Sequence, residues 1–494
     1  MSAPVRSAAL GDRAAAALVF GSSAAVLVVE LTMLRLLAPY LGLTLETSTL
    51  VIGIALGAIA LGAWSGGRAA DRNDPRRLLG PLLGVSGVVV AVTPAIVRTV
   101  AETAPELLTF VAALTILVPG AMLSAVTPIV TKLLLTNLDE TGTVVGRLSG
   151  IGTVGAIVGT ILTGFVLVSR VPVSGILLGL GAVLVAGSAL VTWRLRGRWR
   201  SSGAVLGVAA GGLALAVAPG GCDAETTYHC VLVVDDAANE SGRTLVLDTL
   251  RHSYVDLDDP TLLVFAYIRT IASVTDAAYP AGEALRAYHL GGGGLTLPRY
   301  LADVRPGTHN LVSEIDPGIV EVDRERLELR TGPLLEVRVE DGRLGLRRLP
   351  DDSRDLVVGD AFGGVSVPWH LTTREAMSDV RRVLTTDGVY VANLIDHGSL
   401  AFARAEVATL GEVFDHVVLA GEPADVAADP RAGGGGNLVV LASDRELDLA
   451  AVQGALDERS TGWTLVEDEA LDAWVGDSPV LTDDYAPVDQ LLTP

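Results

Sequence analysis

Arg286-Ala287-Tyr288-His289-Leu290-Gly291-Gly292-Gly293-Gly294-Leu295-Thr296 reads as a short β-strand that runs into four glycines and then into a helix. Glycines at such a junction let backbone amides approach a ligand closely and leave the helix N-terminus open to it. Glycine-rich turns are common, so the motif gains meaning only from what surrounds it.

Outward from this stretch, strands and helices alternate. The pattern predicts strands at 309–314, 335–339, 354–359, 387–393, 414–420 and 436–442. It predicts helices at 296–303, 317–326, 372–384, 400–410 and 446–457. Such alternation gives a mostly parallel, doubly wound sheet, in which ligands bind at the carboxyl ends of the strands. Upstream, 228–235 and 243–250 alternate as a β-hairpin around a turn at 239–242, and a helical run covers 260–274.

The strand ends carry acids. The second strand ends in Ser313-Glu314-Ile315-Asp316-Pro317, and Glu314 lies 23 residues after Gly291, where a carboxylate reaches ribose hydroxyls. The third ends in Val339-Glu340-Asp341-Gly342, and the fourth in Val358-Gly359-Asp360-Ala361-Phe362. Each acid alone fits a helix cap or a solvated loop. Together they outline a nucleoside cleft with a carboxylate, Asp360, at its mouth. A dinucleotide fingerprint would need glycine where Thr296 stands. An adenosyl-sulfonium ligand has no pyrophosphate and needs no such glycine.

The chain has 494 residues, 50% of them hydrophobic, and a mean hydropathy of +0.48. That is too apolar for an ordinary soluble protein. Residues 1–220 carry a net charge of +6 and residues 221–494 a net of −27. An acidic surface excludes nucleic acid as partner. Two cysteines provide no zinc framework, and no metal site is expected. Seven apolar runs, about 14–38, 47–66, 78–97, 107–128, 148–168, 172–192 and 202–219, each match the ~20 residues needed to cross a bilayer. Their number, with few charges between them, argues against buried core helices. A cleaved signal peptide is also a poor explanation, because more spans follow the first run.

One set of alternating loops holds Arg6, Arg13, Arg68, Arg72, Arg76, Arg77, Lys132, Arg147, Arg194, Arg196, Arg198 and Arg200. The other holds Arg98 and Arg170, with Arg35 near a span end. This bias places the N-terminus in the cytoplasm, and seven crossings then place the C-terminal domain outside. Cys222 and Cys230 flank a short polar stretch and would close a disulfide loop in an oxidising compartment; two free thiols are the alternative. Glu30 and Arg35 fall inside the first span, where charge is costly and marks function or a packing pair. Their five-residue spacing does not suit a direct helical pair.

Residues 226–395 resemble the spermidine synthase family (polyamine aminopropyltransferases) in its membrane-fused form. The match covers the small β-subdomain, the Gly-rich strand end, Glu314-Ile315-Asp316, Glu340-Asp341-Gly342 and the strand before Asp360. The resemblance implies an N-terminal transmembrane bundle of about seven spans (1–220), a small β-subdomain with a connecting helix (221–275), and a Rossmann-like domain (276–494) of S-adenosylmethionine-methyltransferase type. It implies that Gly291–Gly294, Glu314, Asp341 and His229 bind decarboxylated S-adenosylmethionine or S-adenosylmethionine as co-substrate, with no prosthetic group. Glu314 would take the ribose and Asp341 the adenine amine. Asp360 would be the catalytic aspartate and Tyr267 a substrate-pocket residue. The tail Leu481-Thr482-Asp483-Asp484-Tyr485 resembles the ending of membrane-fused members, and Asp483 and Asp484 would bring charge to the substrate.

The sequence departs from the family at four positions. Gly294 stands where an aspartate usually holds the aminopropyl amine, and Gly363 where a second catalytic aspartate stands. Ile268 replaces a histidine, and His229 a glutamine. The expected function is aminopropyl transfer from decarboxylated S-adenosylmethionine to putrescine or a related amine, with the bilayer as partner and a homodimer as in soluble relatives. The alternatives are methyl transfer, and a non-catalytic polyamine- or nucleoside-binding or transport-associated membrane protein.

Overall fold

A computed structural model describes residues 10–41, 44–135, 141–168, 170–196, 212, 222–361, 367–427 and 434–492. The chain divides into two compact units, Met1–Thr227 and Tyr228–Pro494.

In the first unit, six helices among the described residues are long and apolar enough to cross a membrane. They are Asp12–Leu41, Leu45–Arg72, Pro75–Thr103, Pro105–Leu134, Thr141–Leu167 and Val173–Leu195. They correspond to the first six apolar runs. The seventh, 202–219, lies outside the described residues apart from Gly212, as do Arg6, Arg198 and Arg200. Small residues let these helices touch through their backbones. A Cβ on Gly155 would lie 2.3 Å from the Phe20 carbonyl oxygen. The ends are tied by ion pairs, Lys132–Asp71 at 2.9 Å and Arg147–Asp12 at 3.1 Å. Arg98 pairs with Glu225, whose carboxylate also accepts from the Ser174 hydroxyl at 2.6 Å. Glu225 belongs to a two-residue strand, β1 (Ala224–Glu225). Glu30 and Arg35 both lie half-buried on the first helix.

The second unit opens with antiparallel strands β2 (Cys230–Asp236), β3 (Asn239–Leu247) and β4 (Leu250–Asp256). The turn expected at 239–242 falls within β3. The chain reverses instead at Ala237 and Ala238, so tightly that Asn239 already stands opposite Asp236, and a register shift follows. A third strand, β4, extends the expected hairpin. Its polar and aromatic mix, Leu250-Arg251-His252-Ser253-Tyr254-Val255-Asp256, hides the alternation. A register shift between Leu245 and Val246 leaves His252 as the unpaired residue of a β-bulge.

A larger sheet has the order β12-β10-β11-β9-β8-β5-β6-β7. Strands β5 (Arg286–Leu290), β6 (His309–Glu314), β7 (Leu335–Val339), β8 (Arg354–Gly359) and β9 (Leu384–His397) are parallel. Strands β11 (Gly435–Ser443), β10 (His416–Gly421) and β12 (Thr464–Val466) continue it antiparallel. Four of the parallel strands, β5 to β8, have the bounds the sequence pattern gives. Buried side chains cover both faces, among them Tyr288, Val357 and Phe402 on one and Ile271, Val358 and Val391 on the other. Central strands therefore contain apolar runs, such as Leu356–Val358 in β8, Val389–Ala392 in β9 and Leu438–Ala442 in β11, whereas the edge strand β7 alternates apolar and charged residues.

After β5 the chain builds outward to β6 and β7, then returns to lay β8 on the other side of β5. The strand order reverses between β5 and β8, the point at which such sheets form a ligand crevice at their carboxyl ends. Gly291 marks this junction, with φ of +94° and a Cβ position 2.2 Å from the Asp360 carbonyl oxygen. Gly291→Ala is expected to destabilise the full-length protein in detergent by more than about 1 kcal/mol, read as a lowered unfolding midpoint. An unchanged midpoint would show that the junction accommodates a side chain.

Candidate functional site

The four parallel strand ends are laced together by main-chain hydrogen bonds. The Asp360 amide donates to the Leu290 carbonyl at 2.9 Å, the Gly291 amide to Ser313 at 3.0 Å, and the Glu340 amide to Glu314 at 3.0 Å. This lacing brings Gly291, Glu314, Glu340, Asp341 and Asp360 to one rim although they span some 70 positions of sequence.

Glu314 is 7% exposed. Its Oε2 accepts from the Gly292 amide at 2.9 Å and the Gly293 amide at 3.4 Å, and its Oε1 from the Asp316 amide at 2.9 Å. Burial raises its pKa, and the three amides work against that rise. A buried carboxylate held against glycine amides fits the hydroxyls of a ribose, which donate to acceptor oxygens. Gly294 donates to the Ser253 hydroxyl at 3.0 Å. A Cβ on Gly294 would meet Ser253 at 3.0 Å and Val255 at 3.1 Å, so the small sheet fills that space.

Asp341 caps the helix Gly342–Arg347 by accepting from the Leu344 amide at 3.0 Å. Its other oxygen is 2.9 Å from Nε2 of His370. His370 follows Trp369 in a short turn, and the two rings meet edge to face.

Asp360 sits where β8 ends. Its Oδ1 accepts from Nδ2 of Asn393 at 2.9 Å, and Asn393 in turn accepts from Nδ2 of Asn437 at 2.9 Å. That second bond fixes the Asn393 amide so that its nitrogen faces Asp360. Desolvation pushes the Asp360 carboxyl up to about 6, against the hydrogen bonds from Asn393 and Tyr267, which favour the ionised form. Tyr267 is buried on the helix Ala266–Ala278. Its hydroxyl donates to the His252 carbonyl at 3.1 Å and reaches the Asp360 carboxylate. A carboxyl that titrates near 6 beside a tyrosine in a crevice is suited to take a proton at neutral pH.

His229 lies one layer back. Its Nδ1 is 2.8 Å from Asp248, and its ring centroid is 6.3 Å from that of His252. Burial, then the neighbouring His229, lowers the pKa of His252 to about 4 and keeps it neutral. In the tail, the Asp483 carboxylate is taken up by Arg343 at 2.7 and 2.8 Å and by the Thr373 hydroxyl at 2.8 Å. Asp484 is exposed on the same turn. Gly363 lies outside the described residues. Both cysteines, Cys222 and Cys230, are disulfide-bonded. No cluster of metal-binding side chains occurs among the described residues.

Sequence reading missed Asn393, Asn437, His252, Ser253 and Arg343. Asn393 carried a usable signal, as the one polar side chain in the buried run Val389-Tyr390-Val391-Ala392-Asn393-Leu394.

The sheet order, the Gly-rich first strand end and the buried glutamate at the second define an α/β domain of the S-adenosylmethionine-methyltransferase-like class. No family model matches the chain. In sequence it is 31% identical over 158 residues to the polyamine aminopropyltransferase of Vibrio vulnificus (strain CMCP6), covering 30% of this chain and 51% of that protein. It is 26% identical over 161 residues to the polyamine aminopropyltransferase of Chromobacterium violaceum, covering 32% of this chain and 60% of that one. The chain therefore spans between about half and three fifths of these curated relatives. Among solved structures, it is similar to a probable spermidine synthase from Corynebacterium glutamicum ATCC 13032, with 28% identity, a TM-score of 0.49, and coverage of 53% of this chain and 96% of that chain. In sequence, part of the C-terminal half is thus similar to polyamine aminopropyltransferases, here on a chain with apolar N-terminal helices.

Because its pKa is raised in the folded state, Asp360 favours folding when protonated. That advantage is complete below about pH 4 and is lost as pH rises through about 6. Asp360→Asn is therefore expected to stabilise the protein at pH 7, by at most about 3 kcal/mol, and to leave stability unchanged at pH 4. Unfolding midpoints at the two pH values test this. Equal stability at pH 7 would mean that the carboxyl is not desolvated.

Proposed function

We propose that the protein is a membrane-bound aminopropyltransferase that moves the aminopropyl group of decarboxylated S-adenosylmethionine to putrescine or a related amine. The observation that carries this reading is Asp360, a desolvated carboxylate at the β5/β8 crevice, beside Tyr267 and next to the glycine–Glu314 cradle. In this reading Gly291–Gly294 and Glu314 hold the nucleoside, Asp341 meets the adenine amine, and His229 supports the co-substrate from the small sheet. Tyr267 shapes the acceptor pocket.

The chemistry follows from charge. A primary amine is protonated near neutral pH and has no lone pair for attack. Asp360 accepts its proton, and the freed nitrogen attacks the methylene carbon bound to the sulfonium. The new C–N bond forms as the C–S bond breaks. Its electron pair goes to sulfur, leaving neutral methylthioadenosine. Holding donor and amine side by side supplies proximity, and the carboxylate supplies general base catalysis.

Methyl transfer from S-adenosylmethionine is the second reading. Gly294 favours it, because no carboxylate occupies the position that would hold an aminopropyl amine. Purified protein incubated with putrescine and decarboxylated S-adenosylmethionine is expected to release methylthioadenosine. Asp360→Asn is expected to slow that release by roughly 10²–10⁴. S-adenosylhomocysteine made from S-adenosylmethionine and the amine, with the methyl group passed to the amine nitrogen and no methylthioadenosine from the decarboxylated donor, would support the second reading and overturn the first.

The six helices long enough to span a bilayer, the apolar run at 202–219 and the Lys/Arg bias support an N-terminus in the cytoplasm and a C-terminal unit outside. The disulfide-bonded state of Cys222 and Cys230 agrees with that side of the membrane. An impermeant thiol reagent is then expected to label intact cells only after reduction. Labelling that appears only after lysis would reverse the orientation.

A further inference from the structure

The C-terminal segment joins the rim of the crevice through one buried arginine. Leu481 is fully buried; its amide donates to the Thr409 hydroxyl at 2.9 Å, and its carbonyl accepts from the Arg374 amide at 2.8 Å. Thr482 and Tyr485 then exchange main-chain hydrogen bonds at 2.9 and 3.0 Å, closing a turn with Asp483 at its tip. The Asp483 amide donates to Glu375 at 3.0 Å, so this tip is held by its backbone as well as by its carboxylate.

Arg343 has a side chain only 7% exposed. Its two terminal nitrogens grip both oxygens of Asp483, and one of them also donates to the His370 carbonyl at 3.0 Å. A buried guanidinium needs a paired charge, and the fork geometry makes this pair directional. Arg343 stands two residues after Asp341, in the helix that Asp341 caps. His370, whose carbonyl the same guanidinium holds, places its ring nitrogen 2.9 Å from the Asp341 carboxylate. Asp341 is thus located from both sides, by its own helix and by His370, and Arg343 joins the two. The tail carboxylate is the counter-charge that keeps Arg343 there.

We propose that Asp483 is a positioning residue for the nucleoside site. Through Arg343 it fixes the helix start and the His370 turn, and so sets where the Asp341 carboxylate meets the base of the nucleoside. This rests on the reading of Asp341 given above. The assignment differs from a direct role in substrate charge, since the Asp483 carboxylate is already spent on Arg343 and Thr373. Asp483 also caps no helix of its own, so its removal acts on the rim through the pair.

The test is nucleoside affinity in the full-length protein in detergent, read by calorimetry with methylthioadenosine and with S-adenosylhomocysteine. It needs no turnover and covers both transfer chemistries. Asp483→Asn is expected to weaken binding about tenfold, with binding stoichiometry retained. In the aminopropyl assay it is expected to raise the KM for the donor, with kcat within about twofold. Asp483→Glu keeps the charge and is expected to recover most of the affinity. Glu469→Gln, which removes an exposed acid elsewhere in the unit, is expected to change nothing. Should Asp483→Asn fail to fold, Arg343→Lys serves instead. A lysine cannot grip the carboxylate and the His370 carbonyl together, and about threefold weakening is expected. Affinity unchanged in a folded Asp483→Asn or Arg343→Lys overturns the proposal, as does a kcat that falls while KM stays fixed. A wild-type chain that binds neither nucleoside fails at the earlier step, and overturns the reading of Asp341 together with the role of Asp483.

Discussion

The hydrogen bond from the Asp360 amide to the Leu290 carbonyl is the constraint on which the crevice depends. It joins the last turn of β8 to the last residue of β5, the two strands between which the winding direction of the sheet reverses. The absence of a side chain at Gly291 lets that contact form. Once it exists, the glycine amides face Glu314, and the Asp360 carboxylate is carried, half-buried, to the same rim beside Asn393. The nucleoside cradle and the proposed base are therefore two results of one backbone contact. The same lacing continues through Ser313, Glu314 and Glu340, so displacement of any one strand end moves the others.

Much of this was legible from the residues. Strands β5, β6, β7 and β8 are short stretches of apolar and β-branched residues bounded by glycine, proline or acids, and that punctuation sets their limits. The acids at their ends were legible because topology, not side-chain contact, decides where they go. Less was legible where local chemistry is ambiguous. The turn at Ala237–Ala238 has no glycine, asparagine or proline to mark it, while Asn239 to Gly242, which look like a turn, lie within β3, with Asn239 opposite Asp236 and Gly242 opposite Asp256. Strand β4 was hidden by its bulge and by polar residues that serve the site rather than the core. The antiparallel order of β11, β10 and β12 depends on long-range packing that no window of sequence contains.

The site shows the same division. Glu314 and Asp360 could be chosen by position along strands. What Asp483 does could not, because its partner is 140 residues away and Arg343 looks in sequence like any helix-surface arginine. His252 likewise gains its meaning only from the bulge that turns its carbonyl toward Tyr267. The Asn437–Asn393–Asp360 chain runs across three strands, and no local pattern foretells it.

The crowding at Gly294 limits what that position can become. A Cβ there would stand 3.0 Å from Ser253 and 3.1 Å from Val255, both on β4, with Leu327 at 3.4 Å. Any side chain at 294 therefore asks the small sheet to give by a few tenths of an ångström. The width of the gap between loop and strand, rather than the loop alone, sets how large a residue the cradle tolerates.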